Sequence, residues 1–308
     1  MVVPRSRRVM KIAVLSTRTG WHTDELRRAI VERGHTPLLL PYESLVARLG
    51  ARDRGTPRLG AAEPDLFACD AVLARIIPNG SLEQIIYRID ALHWLEDAGI
   101  KVVNPPRAIE RTVDKFYTSA LLEQAGLATP QTVVCERVED AAAAFRAMGD
   151  VIVKPLFGSM GLGMVRVSDE ETAWRVFRAL EAIRGVYYLQ RAIPHEGRDI
   201  RAFVIGDRVV AAIERRSVGW RTNISRGGEA RSITLSPEWS DLAMRAARAV
   251  GAEYAGVDLL PADNGTVYVL EVNGIPGWRG LQTTTSFDVA GALIDHVVTA
   301  RRTRATAR

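Results

Sequence analysis

Two apolar segments, AGVDLLP and TVYVLEVN, flank the dipeptide Asn264-Gly265 near the C-terminal end of the chain. Asn-Gly between two such segments is the strongest short signal for a β-hairpin, because both residues adopt the positive φ angles of a tight turn. A two-residue turn here places Asp258 directly opposite Glu271. Asn273 lies two residues beyond Glu271, on the same face of the same strand. The hairpin therefore brings two carboxylates and an amide to one face of a sheet.

These opposed carboxylates predict a bound cation. Like charges facing each other across a strand pair are destabilising, and a buried carboxylate without a partner is costly. Two carboxylates and an amide supply only oxygen ligands, which suit Mg²⁺ held together with substrate phosphates. We therefore take Asp258, Glu271 and Asn273 as candidate metal ligands. The alternative is a solvated polar face that binds nothing.

The rest of the chain predicts an α/β protein with an α+β C-terminal part. Strands and helices alternate over residues 11–104, with a first helix beginning at Thr23, which indicates a doubly wound parallel sheet. A single helix is expected over about 108–126, and hairpins dominate from residue 186 onward. Together with the punctuation at Asn104-Pro105-Pro106, this predicts an α/β domain over 1–105, a central subdomain over 106–187 and a C-terminal subdomain over 188–308.

The net charge of +5 does not favour nucleic-acid binding, because seven arginines lie in the two terminal tails and the remaining body is slightly acidic. No apolar run is long enough to cross a bilayer, and no signal peptide is evident. The two cysteines, Cys69 and Cys135, have no metal-ligand spacing and are expected to be reduced thiols of a cytoplasmic protein. The five histidines also lack ligand spacing.

Lysine is scarce in this chain. Of the 41 basic residues only Lys11, Lys101, Lys115 and Lys154 are lysines. A compact ammonium and a forked guanidinium are not interchangeable, so Lys115 and Lys154 are candidate functional residues, although chance explains the bias equally well.

A glycine-rich loop follows Lys154 and lies between two predicted strands. Its backbone N–H groups could approach phosphate oxygens closely. No helix opens directly after it and no GK[ST] occurs, so neither a Rossmann fingerprint nor a P-loop is indicated. A hairpin that closes over phosphates fits better, and an ordinary flexible turn is the alternative. The loop residues are Gly158, Ser159, Met160, Gly161, Leu162 and Gly163.

The segment YLQRAIPHEGRDIR provides an apolar slot for a flat ring. Gln190 is placed to bind the exocyclic amine of adenine, and the backbone near Ala192 to bind the ring edge. Asp199 would reach either a ribose or a cationic neighbour, and Arg201 shares its face. A surface amide at Gln190 is the alternative.

A cluster of arginines follows in RRSVGWRTNISRGGEAR. Guanidinium groups suit carboxylate and phosphate recognition, so this segment could hold an acidic substrate and stabilise a transferring phosphoryl group. A solvated charge run or an RNA-binding loop is the alternative. The arginines are Arg215, Arg216, Arg221, Arg226 and Arg231.

These features occur in the order seen in ATP-grasp ligases, and the chain resembles the RimK-type α-L-glutamate ligases in particular. The matching stretches cover about two-thirds of the chain: DKFYTSALLEQAGLATP, VIVKPLFGSMGLGM, GRDIRAFVIGDRVVAAIERR, RTNISRGG, AGVDLL and LEVNGIPGWRG. The resemblance implies an ATP-grasp fold and a pre-ATP-grasp domain before it.

The resemblance also implies roles for individual residues. Lys115 and Lys154 would contact ATP phosphates, under a lid formed by Gly158, Ser159, Met160, Gly161 and Gly163. The adenine hinge would comprise Gln190, Arg191, Ala192 and Ile193, with Asp199 at the nucleotide. Catalytic contacts would come from Arg201, Arg221, Asn223 and Arg226. Two Mg²⁺ ions, for which Mn²⁺ could substitute, would bind Asp258, Glu271 and Asn273.

The implied reaction joins an acid, activated as an acyl phosphate, to L-glutamate. The phrase NGIPGWRGLQ and the short SVGW segment with Trp220 resemble the branch associated with tetrahydromethanopterin and methylofuran. We therefore expect a small-molecule acidic acceptor, a cytoplasmic homo-oligomer, and no nucleic-acid or membrane partner. The alternatives are a ribosomal-protein or peptide glutamate ligase, a D-alanine–D-alanine-like ligase, and a non-catalytic nucleotide-binding regulator.

Overall fold

The computed structural model describes residues 8–50, 58–61, 65–158, 161–217 and 229–306. The elements of its first third are β1 (Lys11–Ser16), α1 (Trp21–Glu32), β2 (Thr36–Pro41), β3 (Val46–Ala47), β4 (Leu59–Gly60), β5 (Ala71–Ala74), α2 (Leu82–Asp97) and β6 (Lys101–Val103). The next are α3 (Pro106–Val113), α4 (Lys115–Gln124), β7 (Thr132–Cys135), α5 (Val138–Met148), β8 (Val151–Lys154), β9 (Val165–Val167) and α6 (Glu170–Ala182).

The remaining elements are β10 (Tyr187–Arg191), β11 (Arg198–Ile205), β12 (Arg208–Arg216), β13 (Glu229–Ile233), α7 (Pro237–Val250), β14 (Tyr254–Pro261), β15 (Val267–Asn273), α8 (Arg279–Gln282) and α9 (Val289–Thr306). The chain divides into two compact units. The first unit comprises residues 1–107, 277–282 and 286–308, and the second comprises residues 108–276 and 283–285.

The first unit contains the predicted parallel sheet, with the strand order β2-β1-β5-β6. The pairings of β1 with β2, β1 with β5 and β5 with β6 are all parallel. The central strands are buried, as expected for apolar runs covered on both faces. The last helix α9 belongs to this unit, whereas the sequence assigned it to the C-terminal subdomain. Ion pairs such as Arg33–Asp295 at 2.8 Å join α1 to α9.

Two predicted helix boundaries are wrong. The first helix begins at Trp21, and Thr23 sits in its first turn, where its Oγ1 accepts a hydrogen bond from Gly20 N at 2.7 Å. The helix expected over 108–126 is two helices, because Asp114 interrupts it and acts as the N-cap of α4 by accepting a hydrogen bond from Tyr117 N. Lys115 thereby becomes the first residue of α4.

The second unit contains two antiparallel sheets. One has the order β7-β10-β8-β9 and packs on α5 and α6 through buried side chains such as Phe145 and Phe177. The other has the order β13-β12-β11-β14-β15 and packs on α4 and α7. The predicted turn at Gly206-Asp207 joins β11 to β12, with Ile205 paired to Arg208. The predicted division of this unit near residue 187 stays a prediction.

No helix within the described part of the chain is long and apolar enough to cross a membrane.

Candidate functional site

A row of charged residues crosses four neighbouring strands of the five-stranded sheet. Asp258 on β14 lies directly opposite Glu271 on β15, as the hairpin predicted. On the other side of β14, Arg201 on β11 lies opposite Asp258. Asp199, two residues before Arg201, pairs with Arg215 on β12. Basic and acidic groups therefore alternate along most of this row.

The turn that sets this register is one residue longer than predicted. Gly265 N donates to Ala262 O at 3.0 Å, and Gly265 has a φ of 82°, as in a three-residue loop that ends on a left-handed glycine. Near the turn the pairing is offset by one residue from the predicted register. A β-bulge next to Asp258 removes the offset, so Asp258 still faces Glu271.

Asp258 is neutralised by arginines. Arg201 Nε and Nη2 donate to its two carboxylate oxygens, each at 2.7 Å. Arg215 Nη2 lies 3.0 Å from Oδ2 of the same carboxylate. Burial by itself would raise the pKa of Asp258, but the two arginines outweigh it and lower the pKa to about 2. Arginines therefore already compensate much of the charge of this carboxylate, and the metal ion expected beside it stays a prediction.

Asp199 is also held by Arg215. The Nε and Nη2 atoms of Arg215 donate to the two Asp199 oxygens at 2.7 and 2.6 Å. Both side chains are at most 5% exposed. Of the two partners expected for Asp199, the structure shows the cationic neighbour, which fixes Arg215 beside Asp258.

Glu271 faces a pocket that contains both singled-out lysines. Lys154 ends β8 and Lys115 begins α4, so two elements distant in sequence supply the two ammonium groups. The lining residues are Thr112, Lys115, Thr118, Ser119, Lys154, Tyr188, Leu270 and Glu271. A pocket with two cations and one carboxylate suits a polyanion that is bound together with a divalent cation.

The two ammonium groups are partly desolvated. Burial lowers the pKa of Lys154 to about 8, although the carboxylate of Glu271 opposes the shift and Lys115 adds to it. Burial likewise lowers the pKa of Lys115. Lys115 Nζ donates to Gly158 O at 2.8 Å and so contacts the first residue of the glycine-rich loop.

The glycine-rich loop joins two antiparallel strands, β8 and β9, as predicted. Gly158, Gly161 and Gly163 have φ angles of 146°, 67° and 75°. Residues with a Cβ atom rarely adopt such positive φ angles, which explains the glycine at each position. Ser159 and Met160 lie outside the described residues.

The predicted hinge lies at the end of β10. Lys154 Nζ donates to Gln190 Oε1 at 2.5 Å, so Gln190 adjoins the pocket through Lys154. Arg191 N donates to the backbone oxygen of Gln131, just before β7, at 2.8 Å, and Ala192 N donates to that of Asp150, just before β8, at 2.9 Å. These two N–H groups are therefore already used, and Ile193 follows them in the loop towards β11.

Three of the four predicted catalytic residues, Arg221, Asn223 and Arg226, lie outside the described residues, as does Trp220. The fourth, Arg201, lies in the charged row. Three residues near the pocket were not predicted. Tyr188 and Ser119 line it, and Thr132 Oγ1 accepts a hydrogen bond from Gln190 Nε2. Tyr188 could have been found, because it lies two residues before Gln190 and so shares its face of β10.

The oxygen donors fit a divalent metal ion. No hydrogen bond to the Glu271 carboxylate is formed within the described part of the chain. A carboxylate offers about four lone-pair sites. The Asp258 carboxylate accepts two hydrogen bonds from Arg201 and lies 3.0 Å from Arg215 Nη2. Asn273 Oδ1 accepts one bond, from Ile275 N, and an amide oxygen has two lone pairs. No cluster of three or more His, Cys, Asp or Glu side chains suited to a metal occurs in the described ranges.

Comparisons with protein-family models match nearly the whole chain. Residues 10–109 match the RimK PreATP-grasp domain. Residues 112–297 match the RimK-like ATP-grasp domain.

Individual relatives agree with these matches. The chain is 32% identical to a tetrahydromethanopterin:alpha-L-glutamate ligase of Methanococcus maripaludis, over 94% of this chain and 98% of that protein. It is 33% identical to the ribosomal protein bS6–L-glutamate ligase of Escherichia coli, over 92% and 94% of the two chains.

A solved structure shares the fold. The ATP-grasp ligase PsnB complexed with a minimal precursor superposes with a TM-score of 0.74 at 24% identity, covering 95% of this chain and 99% of that one. The same ligase complexed with minimal precursor, Mg and ADP gives a TM-score of 0.72 at 22% identity, covering 94% and 97%.

Proposed function

This chain belongs to the RimK-like ATP-grasp family of ATP-dependent ligases, and we propose that it adds L-glutamate to an acidic small-molecule acceptor through an acyl-phosphate intermediate. The observation that carries the proposal is one pocket in which Glu271 lies with Lys115 and Lys154, while Glu271 faces Asp258 across the sheet. The two ammonium groups can neutralise part of the charge of a triphosphate, and the two carboxylates can hold a divalent cation bound with it.

The first step is phosphoryl transfer. A carboxylate oxygen of the acceptor attacks the γ-phosphorus of ATP, a new P–O bond forms, and the bond to the ADP oxygen breaks. Lys115 and Lys154 bind phosphate oxygens, and Arg201 stabilises charge beside them. Asp258, Glu271 and Asn273 would hold Mg²⁺, which would supply further neutralisation of that charge.

The second step is amide formation. The amine of glutamate attacks the acyl carbon, phosphate leaves, and the amine loses a proton. Neither step needs a nucleophilic side chain, because positioning and charge neutralisation carry most of the catalysis. Arg221, Asn223 and Arg226 are assigned to the transferred phosphoryl group on the strength of the resemblance.

The nucleotide contacts follow the same resemblance. By that resemblance, the loop from Gly158 to Gly163 would form the lid over the phosphates, and the hinge from Gln190 to Ile193 would adjoin the adenine. By the same resemblance, the site would hold two Mg²⁺ ions, for which Mn²⁺ could substitute. Asp199 is assigned to the nucleotide by the same resemblance, and Arg215, which binds it, lies beside Asp258.

The relatives support two different classes of acceptor. Tetrahydromethanopterin ligases among the relatives support a small molecule, whereas the bS6 ligase supports a protein acceptor. Mass spectrometry separates the two: the protein is incubated with ATP, Mg²⁺, L-glutamate and a panel of pterin, furan and peptide acids. We expect a glutamyl product from a small acid, and a product from peptide acids alone would overturn this assignment.

We also propose a cytoplasmic homo-oligomer without nucleic-acid partners. Cys69 and Cys135 are free thiols, in keeping with a reducing compartment.

A further inference from the structure

Gln190 lies in the interior of the four-stranded sheet and is 3% exposed. Its strand β10 pairs with β7 on one side and β8 on the other. The side-chain amide lies among Thr132, Tyr188 and Lys154, each from one of these three strands. A buried amide in such a place must have hydrogen-bond partners, because an unpaired one is costly.

Both N–H groups of this amide donate hydrogen bonds, and its oxygen accepts one. Gln190 Nε2 donates to Thr132 Oγ1 at 3.1 Å and to Tyr188 OH at 3.3 Å. Tyr188 OH is itself bonded to Ser119 Oγ at 2.8 Å. Gln190 Oε1 accepts from Lys154 Nζ at 2.5 Å.

The lysine fixes which way the amide faces. An ammonium group only donates hydrogen bonds, so the oxygen and not the nitrogen of the amide must face it. The hydroxyls of Thr132 and Tyr188 then complete a network that has one orientation. A hydrogen bond to a charged donor is also stronger than one between neutral groups, and adenine offers only a neutral amine.

We propose that Gln190 is a positioning residue that holds the Lys154 ammonium in the pocket, and that its side chain does not recognise the exocyclic amine of adenine. The inference rests on the proposed function, since it assumes that Lys154 binds ATP. Nucleotide recognition at the hinge then falls to backbone groups other than the N–H groups of Arg191 and Ala192, which are already hydrogen-bonded.

A double-mutant cycle tests whether Gln190 acts through Lys154. The dissociation constant of ATP with Mg²⁺ is measured by isothermal titration calorimetry for wild type, Gln190→Met, Lys154→Met and the double variant. We expect Gln190→Met to weaken ATP binding about ten- to a hundredfold, as for loss of a hydrogen bond to a charged group. In the Lys154→Met background the same change should have little effect.

An inosine nucleotide tests the adenine alternative in the same samples. ITP carries an oxygen where ATP carries the exocyclic amine. If Gln190 holds Lys154, Gln190→Met weakens the binding of ATP and of ITP by the same factor. If Gln190 binds the amine, the preference for ATP over ITP collapses in the variant.

Two further variants keep the test decisive. Gln190→Glu keeps an oxygen acceptor for Lys154 Nζ. The hydroxyls of Thr132 and Tyr188, which accept from Gln190 Nε2 in the wild type, must turn to donate to its second oxygen. Its ATP affinity should therefore stay closer to wild type than that of Gln190→Met, and a loss as large as in Gln190→Met would overturn the inference. Gln124→Met, an exposed glutamine at the end of α4, is the control.

The outcomes distinguish the inference from the proposed function. Additive effects in the cycle, or a lost preference for ATP, overturn the inference alone. A wild-type protein that binds neither ATP nor ADP overturns the proposed function, and the inference with it.

Discussion

Arg201 lies directly opposite Asp258 on the neighbouring strand and binds both oxygens of its carboxylate at 2.7 Å. The pair is nearly buried, with side-chain exposures of 20% and 8%. Asp258 is therefore part of the sheet's internal electrostatics as well as a candidate metal ligand. A substitution at Asp258 removes both roles, which makes Glu271 the better position at which to test the metal site.

Removing Arg215 should destabilise the protein strongly. Arg215→Met leaves Asp199 unpaired and takes one partner from Asp258, and breaking a buried ion pair costs about 3–5 kcal/mol. The free energy of unfolding from urea titration measures this loss.

The matched control is Arg166→Met. Arg166 binds both oxygens of Asp150 in the same bidentate manner, but its side chain is 45% exposed. An exposed pair contributes about 0–1 kcal/mol. Equal losses in the two variants would contradict the importance of burial.

ATP utilisation should fall in alkaline solution. The folded protein holds the pKa of Lys154 at about 8, so the free enzyme loses this positive charge as the pH rises through 8. The pH profile of kcat/KM for ATP reports groups of the free enzyme. We expect it to fall with an apparent pKa near 8.

Lys154→Arg is the control for that profile, because a guanidinium stays protonated throughout. Its kcat/KM should lack the alkaline fall, whatever its absolute level. A wild-type profile that stays flat to pH 10 would exclude Lys154 as the titrating group.

Acid should destabilise the first unit through His22. Burial, followed by the charges of Arg75 and Arg279, lowers the pKa of His22 to about 4 from 6.5. The unfolded chain binds more protons between these values, so stability is lost as the pH falls from 6.5 towards 4.

His22→Gln tests this dependence. His22 Nε2 accepts a hydrogen bond from Trp278 N at 3.0 Å, and a glutamine oxygen can accept the same bond. The variant should keep its stability better than wild type between pH 6.5 and 4, measured by tryptophan fluorescence during urea unfolding. If the free energy of unfolding falls equally with pH in wild type and variant, a group other than His22 causes the loss of stability in acid.

The facing of Asp258 and Glu271 was predictable because a hairpin is a local structure. Asn264-Gly265 marks the turn, and an error of one residue in its length was removed by a bulge. The partner Arg201 lies 57 residues from Asp258 in sequence. No local pattern specifies which distant strand pairs with β14, so the sequence could not reveal the arginine.

The pocket likewise combines features that local sequence predicts with contacts between strands that are distant in sequence. The scarcity of lysine and the glycine-rich loop singled out Lys154, and the structure brings Lys115 beside it. The sequence predicts that Gln190 contacts adenine. Its contacts with Thr132 and Lys154 could not be predicted, because they depend on the pairing of β10 with both β7 and β8. Residues 218–228, which carry Arg221, Asn223 and Arg226, lie outside the described ranges.

The most direct measurement compares wild type with Glu271→Gln for Mg²⁺-dependent ATP binding by calorimetry and for ADP release. The carboxylate of Glu271 accepts no hydrogen bond from the described residues, so the variant should keep its fold. We predict that Mg²⁺ tightens ATP binding in wild type but not in the variant, and that ADP release falls by more than about a hundredfold, since outer-shell partners alone account for 10–100-fold. Wild-type Mg²⁺ dependence and turnover in Glu271→Gln would contradict the account.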